Sequence, residues 1–239
     1  MMNPWLGMGL VLSVMGSAGG GIAAYQRARS PHPEVARKLC HVATGGIALG
    51  LPWLFDRRWP VALLATLSTA ALLAVRFSPA LKSGIGSVLH AVPRESVGEL
   101  CFPAAIAALF VLARGNALAY SIPILVLTFA DPAAALVGMR YGRLRYRVMG
   151  GEKSVEGSAA FCVVAIACIA IPLLLVPDMA TADVLALSLP LALVLTLVEA
   201  VAWRGLDNLF VPLAGFVGLE ALLAATGIAG SIPSGLAQW

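Results

Sequence analysis

The sequence predicts an all-α, polytopic integral membrane protein with about eight transmembrane helices. Of its 239 residues, 60% are hydrophobic and 12% are charged, whereas about 25% of the residues in a soluble domain are charged. The mean hydropathy of +0.91 leaves room for roughly seven to nine spans of about 20 residues each. No separate soluble domain fits beside them, so we expect a single transmembrane domain over residues 1–239.

Eight apolar runs, separated by segments that hold most of the charge, give the number of helices. Two of the runs, 39–55 and 99–113, are short for a full span, which is typical of broken or re-entrant helices near a buried site. The runs occupy residues 5–25, 39–55, 60–76, 99–113, 117–138, 157–176, 183–202 and 208–228.

The first apolar run has the wrong charge order for a cleaved signal peptide. No Lys or Arg precedes it, while Arg27 and Arg29 follow it immediately, and a signal peptide carries its positive charge before the apolar stretch. We therefore interpret this run as a transmembrane helix whose N-terminus lies outside.

Lys and Arg residues are concentrated in alternate connections between the runs. Cytoplasmic loops of membrane proteins carry the excess of these residues, so both termini are expected outside and the motifs described below on the cytoplasmic side. We expect the membrane to be the cytoplasmic membrane of a prokaryote. One set of connections holds Arg27, Arg29, Arg37, Lys38, Arg76, Lys82, Arg94, Arg140, Arg143, Arg145, Arg147, Lys153 and Arg204, and the other set holds Arg57, Arg58 and Arg114.

The overall charge and the cysteines exclude two other classes of site. A net charge of +4 is too small to indicate nucleic-acid binding. The cysteines have no Cys-x-x-Cys spacing and lie in apolar stretches, where cysteine behaves as a small hydrophobic residue. They are Cys40, Cys101, Cys162 and Cys168. We therefore expect no structural zinc and no disulfide.

Asp131 is the clearest functional residue, because an ionisable side chain within a membrane span is costly. Pro132 follows it and lacks the amide hydrogen that would bond to the Thr128 carbonyl. The helix should loosen there, which frees a carbonyl beside a carboxylate. Gly138 and Gly142 follow on one helical face, which allows either a ligand or another helix to approach closely.

A basic, glycine-containing loop joins the aspartate helix to the next span. A helix N-terminus has unpaired amides and a partial positive charge that suit a phosphate group, and Lys153 would add a counter-charge. The loop is not a Walker A motif, because its spacing differs and no strand is expected before it. Alternatively, Ser154 and Ser158 cap the helix and the arginines contact lipid headgroups. After Arg140, Arg143, Arg145 and Arg147, the loop reads Gly150, Gly151, Glu152, Lys153, Ser154, Val155, Glu156, Gly157 and Ser158.

Other polar residues occur at the same, cytoplasmic ends of the spans. Arg37 and His41 share a helical face at i and i+4 and could bind phosphate. Carboxylates that converge on Asp131 would form a hard oxygen site of the kind that Mg²⁺ uses with nucleotide phosphates. The alternatives are a polar anchor for His41, an ion pair of Glu199 with Arg204, and a helix cap for Asp207. The other members of the set are Lys38, Gly98, Glu99 and Asn208.

Taken in chain order, these motifs resemble the dolichol kinase and phytol kinase family, which includes CTP-dependent diacylglycerol kinases of the yeast type. The resemblance covers about residues 35–215, and its most specific parts are the Lys-Ser-x-Glu-Gly-Ser element at 153–158 and the aspartate helix. It implies transfer of the γ-phosphoryl group of a nucleoside triphosphate, commonly CTP, to an isoprenoid alcohol or diacylglycerol. One departure is Ala130-Asp131-Pro132, where many relatives have Gly-Asp followed by a residue other than proline.

The resemblance implies that Asp131, Lys153, Ser154, Glu156 and Gly157 belong to the nucleotide and metal site. The expected cofactors are Mg²⁺ and CTP or ATP, and the expected partners are the bilayer and the lipid alcohol, without nucleic acid. The expected catalytic residues are Asp131, Lys153 and Glu199; the nucleotide-binding residues are Arg37, Lys38, His41, Gly138, Arg140, Gly142, Lys153, Ser154, Glu156, Gly157 and Ser158; the metal ligands are Asp131, Glu99, Asp207 and Asn208.

Two other functions compete with the kinase. The aspartate helix and the Lys-x-x-Glu-Gly element also resemble the phosphatidate cytidylyltransferases, which make CDP-diacylglycerol, but their C-terminal His-Gly-Gly and Asp-Arg signature is missing here. A transporter would use the polar residues to line a conduit. No internal repeat of the kind common in secondary transporters is visible.

Overall fold

The computed structural model describes residues 2–78, 97–149 and 151–228, and helices dominate it. All eight predicted apolar runs lie largely in helices, one of them divided between two helices, so the all-α membrane class is confirmed. The helices are α1 (Pro4–Arg29), α2 (Pro33–Leu49), α3 (Leu51–Leu54), α4 (Arg58–Phe77), α5 (Gly98–Leu112), α6 (Ala117–Leu125), α7 (Asp131–Tyr141), α8 (Val155–Leu174), α9 (Thr181–Val201) and α10 (Asp207–Thr226).

The predicted count of eight spans is not confirmed. In the described part of the chain, 6 helical segments are long and apolar enough to cross a membrane, and they are α1, α4, the continuous segment Ala117–Tyr141, α8, α9 and α10. The two short runs fall outside this set. The 99–113 run forms the 15-residue α5, and the 39–55 run is divided between α2 and α3 at Gly50.

The outer surface of the helices is apolar, as a lipid environment requires. On α9, for example, Leu189, Leu193 and Leu197 lie on one face and are 42%, 58% and 67% exposed. Such a continuous apolar surface would be a liability in water. It supports the assignment of the chain as an integral membrane protein.

Two hydrophobic clusters form the interior of the bundle and meet at α6. One cluster joins α6 to α8, α9 and α10, and the other joins α6 to α1, α2, α4 and α5. Tyr120 of α6 is fully buried and donates a hydrogen bond of 2.8 Å to the Ala48 carbonyl of α2. This bond satisfies the phenol and fixes α2 against the centre of the bundle.

A small β-hairpin precedes α8, and the sequence reading did not anticipate it. Strands β1 (Arg145–Val148) and β2 (Gly151–Ser154) pair antiparallel, with Tyr146 opposite Lys153. The expectation that no strand precedes the Lys-Ser element was therefore wrong. Because the segment is strongly basic, we interpreted it as a cytoplasmic loop and overlooked its alternating Arg-Tyr-Arg-Val pattern. Gly150, and Lys82 and Arg94 of the charge count, lie outside the described residues.

The loosening predicted beside Asp131 is present. Residues Val126–Ala130, between α6 and α7, form a π-helical turn, in which each amide bonds to the carbonyl five residues earlier. The amide of Pro132 would serve the Leu127 carbonyl in this pattern. Because proline has no amide hydrogen, that carbonyl is open to another donor.

Candidate active site

A cavity of about 1960 Å³ lies at the end of the bundle where α2, α5, α8 and α10 begin and α9 ends. All of the predicted site residues except Arg140, Gly142 and Glu156 line this cavity. The connections concerned are those that hold most of the basic residues, so the described basic connections gather at one end of the bundle.

Lys38 and Asp131 form a buried ion pair in this cavity. The Lys38 ammonium donates to Asp131 Oδ2 at 2.6 Å, and the two residues are 4% and 5% exposed. Burying either charge alone would be very costly, whereas a paired and hydrogen-bonded charge is tolerated. The pair places a cation and a carboxylate side by side at the start of α7.

His41 lies one turn after Lys38 and contacts the same region. Its Nε2 donates to the Leu127 carbonyl at 2.9 Å and is 3.5 Å from Asp131 Oδ2. The ring also packs edge-on against Phe102, with ring centroids 4.8 Å apart. His41 thus satisfies the carbonyl that Pro132 leaves open and orients the start of α7.

Lys153 and Glu199 form the second ion pair of the cavity. Lys153, in β2, donates to Glu199 Oε1 at 2.7 Å and also contacts the Glu199 main-chain carbonyl at the end of α9. Glu199 is 5% exposed, and its second oxygen, Oε2, is buried without a hydrogen-bond partner among the described residues. An unsatisfied buried carboxylate oxygen calls for an explanation in a native protein.

Asp207, Asn208 and Glu99 complete the polar wall where α10 meets α5. Asn208 donates from Nδ2 to the Gly98 carbonyl at 2.9 Å, and its own amide donates to Asp207 Oδ1 at 3.0 Å. Glu99 Oε1 lies 3.9 Å from Arg76 Nη1. Asn208 therefore joins the two helices, while Asp207 lies within electrostatic range of Asp131, Lys38 and Lys153.

Three residues of the Lys-Ser-x-Glu-Gly-Ser element hold the hairpin on α8. Ser154 caps the helix by accepting from the Gly157 amide at 3.1 Å, as the capping alternative predicted. Glu156 Oε1 accepts from the Arg143 and Leu144 amides at 3.0 and 3.2 Å. Ser158 bonds to the Tyr146 phenol at 2.7 Å. These contacts fix the strand that carries Lys153.

Gly138, Gly142 and Gly157 let α7 and α8 approach closely. A Cβ at Gly157 would lie 2.8 Å from the Ala134 carbonyl, and one at Gly142 would lie 2.8 Å from the hydroxyl of Ser154, the N-cap of α8. The Ser154 hydroxyl is 3.0 Å from a Cβ built on Gly138. Helix packing therefore accounts for these glycines, although Gly138 and Gly157 also line the cavity.

The structure does not bring Arg140 into the cavity, and it gives Arg37 a local partner. Arg140 lies on an exposed surface and stacks on the Tyr141 ring at 5.6 Å. Arg37 lines the cavity and pairs with Glu34, a residue that the sequence reading missed. Burial alone would raise the pKa of Glu34, but the hydrogen bond and charge of Arg37 outweigh it and lower this pKa.

The carboxylates suit a metal ion that arrives with a nucleotide. Among the described residues, no three His, Cys, Asp or Glu side chains are grouped closely enough to hold a metal by themselves. In nucleotide sites Mg²⁺ needs only one or two carboxylates together with the phosphates. Asp131, Asp207 and the unpartnered Glu199 Oε2 lie on the same cavity wall. These donors fit Mg²⁺ bound jointly with phosphates.

The opposite end of the cavity is apolar. Its walls are formed by one face of α1 and one face of α4, with contributions from α2 and α5. Leu12, Gly16, Leu64 and Ala71 are examples of these residues. The cavity is therefore amphipathic, with ion pairs at one end and hydrocarbon along the rest.

Comparison with known proteins identifies the family. The chain is 32% identical over 212 residues to a phytol kinase from Synechocystis sp., and the alignment covers 87% of this chain and 88% of that protein. No protein-family model matches the chain, and no solved structure matches it. Identity at this level over nearly the whole of both proteins shows common descent. The chain therefore belongs to the phytol kinase family and is a phosphotransferase that acts on an alcohol.

Proposed function

We propose that the protein transfers the γ-phosphoryl group of CTP to an isoprenoid alcohol such as phytol or a polyprenol, at the cytoplasmic face of a prokaryotic membrane. The observation that carries this proposal is the amphipathic cavity, which joins the buried Lys38–Asp131 and Lys153–Glu199 pairs to apolar walls. A soluble phosphate donor and a lipid acceptor can meet in such a space. The relative that is a phytol kinase favours phytol as the acceptor.

The lysines are proposed to hold the phosphates. Phosphoryl transfer requires little covalent assistance, and catalysis depends on positioning and on neutralising the charge of the transferred group. Lys38 is buried and Lys153 is partly buried in the cavity, and the hairpin fixes Lys153 on a strand instead of a free loop. Such preorganised charges in a poorly hydrated site stabilise a transition state more than mobile surface charges do.

Binding of a nucleotide requires the two ion pairs to exchange partners. Each lysine is bonded to a carboxylate in the free protein, so a phosphate must replace that carboxylate. Bound Mg²⁺ would neutralise phosphate charge, with Asp131 and Asp207 as its proposed ligands, and Asp131 would thus gain a partner in place of Lys38. We therefore expect CTP and Mg²⁺ to stabilise the purified protein much more together than separately, as measured by thermal melting. Additive, independent shifts would contradict the exchange.

Glu199 is the proposed acceptor of the proton from the alcohol. Glu199 lines the cavity, its Oε2 is buried without a hydrogen-bond partner among the described residues, and its Oε1 is held by Lys153. A base must lie within hydrogen-bond reach of the hydroxyl, and the free oxygen can receive that contact. The alcohol oxygen would then bond to the γ-phosphorus of CTP while the bond from that phosphorus to the bridging oxygen breaks. CDP would leave, and the proton of the alcohol would pass to Glu199.

The decisive experiment uses CTP labelled at either the γ- or the α-phosphate. The purified protein is incubated with Mg²⁺ and, in separate reactions, phytol, farnesol, polyprenols, diacylglycerol or phosphatidate, and ATP is tested in parallel. The proposal predicts that only the γ-label enters the lipid and that phytol or a polyprenol is the best acceptor. Transfer of the α-label to phosphatidate would instead identify a cytidylyltransferase, and the absence of transfer to any lipid would contradict both enzymes.

A further inference from the structure

We infer that the hydrocarbon chain of the alcohol substrate lies in the groove between α1 and α4, and that Gly16 and Gly20 of α1 leave the space that it occupies. The inference rests on the proposed function, because it assumes that the hydroxyl reacts at the charged end of the cavity. It adds a location for the chain and two positions that determine its permitted length.

The α1 wall of the groove is a single helical face. Leu12, Gly16, Gly20 and Ala23 recur at spacings of three or four residues and all line the cavity. From α4, Leu64, Ser68, Ala71 and Leu72 face the same space. α1 packs mainly on α2, so the space between α1 and α4 is open to a chain that enters sideways from the lipid.

Glycine makes this part of the groove wide. A Cβ built on Gly16 or Gly20 meets no atom within 4 Å among the described residues, so these glycines do not serve close helix packing. Gly21 also has open space around it, but it does not line the cavity. It lies one residue, or about 100° of helical rotation, from Gly20.

The groove continues into the charged end of the cavity. Gln26 and Arg27, at the end of α1, line the cavity together with Lys38 and Glu199. Glu199 Oε2 is buried and lacks a hydrogen-bond partner among the described residues. This oxygen can accept a hydrogen bond from the hydroxyl at the head of a chain lying along α1.

The length of the groove suits a long chain. The residues of α1 that line it extend from Val11 to Arg27, which corresponds to about 24 Å at the rise of an α-helix. The hydrocarbon core of a bilayer is about 30 Å thick. A chain extended along the groove would therefore cross most of the membrane, and a short alcohol would leave the distant part empty.

Leucine substitutions on α1 test the inference, with phytol and the shorter farnesol as acceptors. Gly16→Leu fills the distant part of the groove and should raise the KM for phytol by about tenfold, as expected when a few methylene groups lose their contacts, while farnesol is unaffected. Gly20→Leu lies nearer the charged end and should raise the KM for both. Gly21→Leu is the matched control and should change neither value.

The control separates the inference from folding and from the proposed function. Leucine favours a helix more than glycine does, so all three variants should fold, which a melting curve verifies. If Gly16→Leu and Gly21→Leu gave the same phytol-to-farnesol ratio of KM values, the groove would not hold the chain. If the unmodified protein phosphorylated neither alcohol, the proposed function itself would fail before the variants were compared.

Discussion

Lys38 of α2 and Asp131 of α7 are hydrogen-bonded at 2.6 Å although 93 residues separate them in the chain. Both side chains are buried. A proposed phosphate-binding cation and a proposed metal-binding carboxylate thus neutralise each other until substrate arrives. We propose that the pair has both a structural and a catalytic role, and these roles can be separated by substitution.

Asp131→Asn should reduce phosphoryl transfer by several orders of magnitude and also destabilise the protein. Breaking a buried ion pair from one side costs about 3–5 kcal/mol, because the other charge is left without a partner. The double variant Lys38→Met with Asp131→Asn removes both charges, so it should recover most of the stability but none of the activity. Melting temperature and turnover are measured on the same preparations.

Two outcomes would contradict this prediction. Substantial turnover of Asp131→Asn, with unchanged dependence on Mg²⁺, would show that the carboxylate does not bind the metal. Recovery of activity in the double variant would show that Asp131 serves only to neutralise Lys38.

Lys153→Ala should lower kcat/KM by about 100-fold or more, the size of effect seen when one preorganised donor to a developing charge is removed. Arg143→Ala is its control, because Arg143 belongs to the same basic segment but is exposed and does not line the cavity. Steady-state kinetics with varied CTP gives kcat/KM for both variants. Small, equal effects of both substitutions would indicate that the segment only anchors the protein to lipid headgroups.

His41→Phe should destabilise the protein by about 1–3 kcal/mol, because it leaves the buried Leu127 carbonyl without its donor while retaining an aromatic ring beside Phe102. Adding Pro132→Ala to this variant supplies an amide that can bond to the same carbonyl. The double variant should therefore be more stable than His41→Phe alone. Thermal unfolding in detergent measures the difference in stability. If the two substitutions destabilised the protein additively, His41 and an amide at position 132 would not serve the same carbonyl.

The topology can be tested with single cysteines in a background without the four native ones. The basic residues of the connections predict that Asn3→Cys and Leu236→Cys are labelled from outside intact cells by an impermeant reagent, whereas Val148→Cys, in the hairpin, is protected. Permeabilised cells provide the control, since Val148→Cys should then react. Labelling of position 148 from outside would reverse the orientation.

Sequence alone was sufficient for the parts of the structure that depend on local patterns. The longer apolar runs formed helices because about 20 apolar residues favour a span, whereas the 39–55 run is divided at Gly50. Asp131 was predicted as a site residue because an ionisable group within a membrane span is costly, and Lys153 because it precedes a helix N-terminus that suits a phosphate. The loosening at Pro132 followed from the missing amide.

Contacts between distant segments could not be predicted in the same way. Nothing in the sequence shows that Lys38, and not Lys153, would pair with Asp131, because the choice depends on how α2 and α8 pack around α7. Arg140 looked equivalent to the other arginines of its segment, but its position on α7 turns it away from the cavity. The hairpin was missed because its two strands are only 4 residues each.

The two ion pairs differ in how far apart their members are in the chain, and this bears on assembly in the membrane. Lys153 lies just before α8 and Glu199 lies at the end of α9, so these two charges can neutralise each other when the two helices insert together. Lys38 has no partner until α7, which begins with Asp131, has been synthesised. An unpaired lysine at membrane depth costs about 2.5–3.5 kcal/mol in insertion assays. In chains truncated before Asp131, Lys38→Leu should therefore increase insertion of α2, measured with a topology reporter fused after α3. In the full chain, α2 is expected to reach its final position in the membrane only after the helices up to α7 have been synthesised.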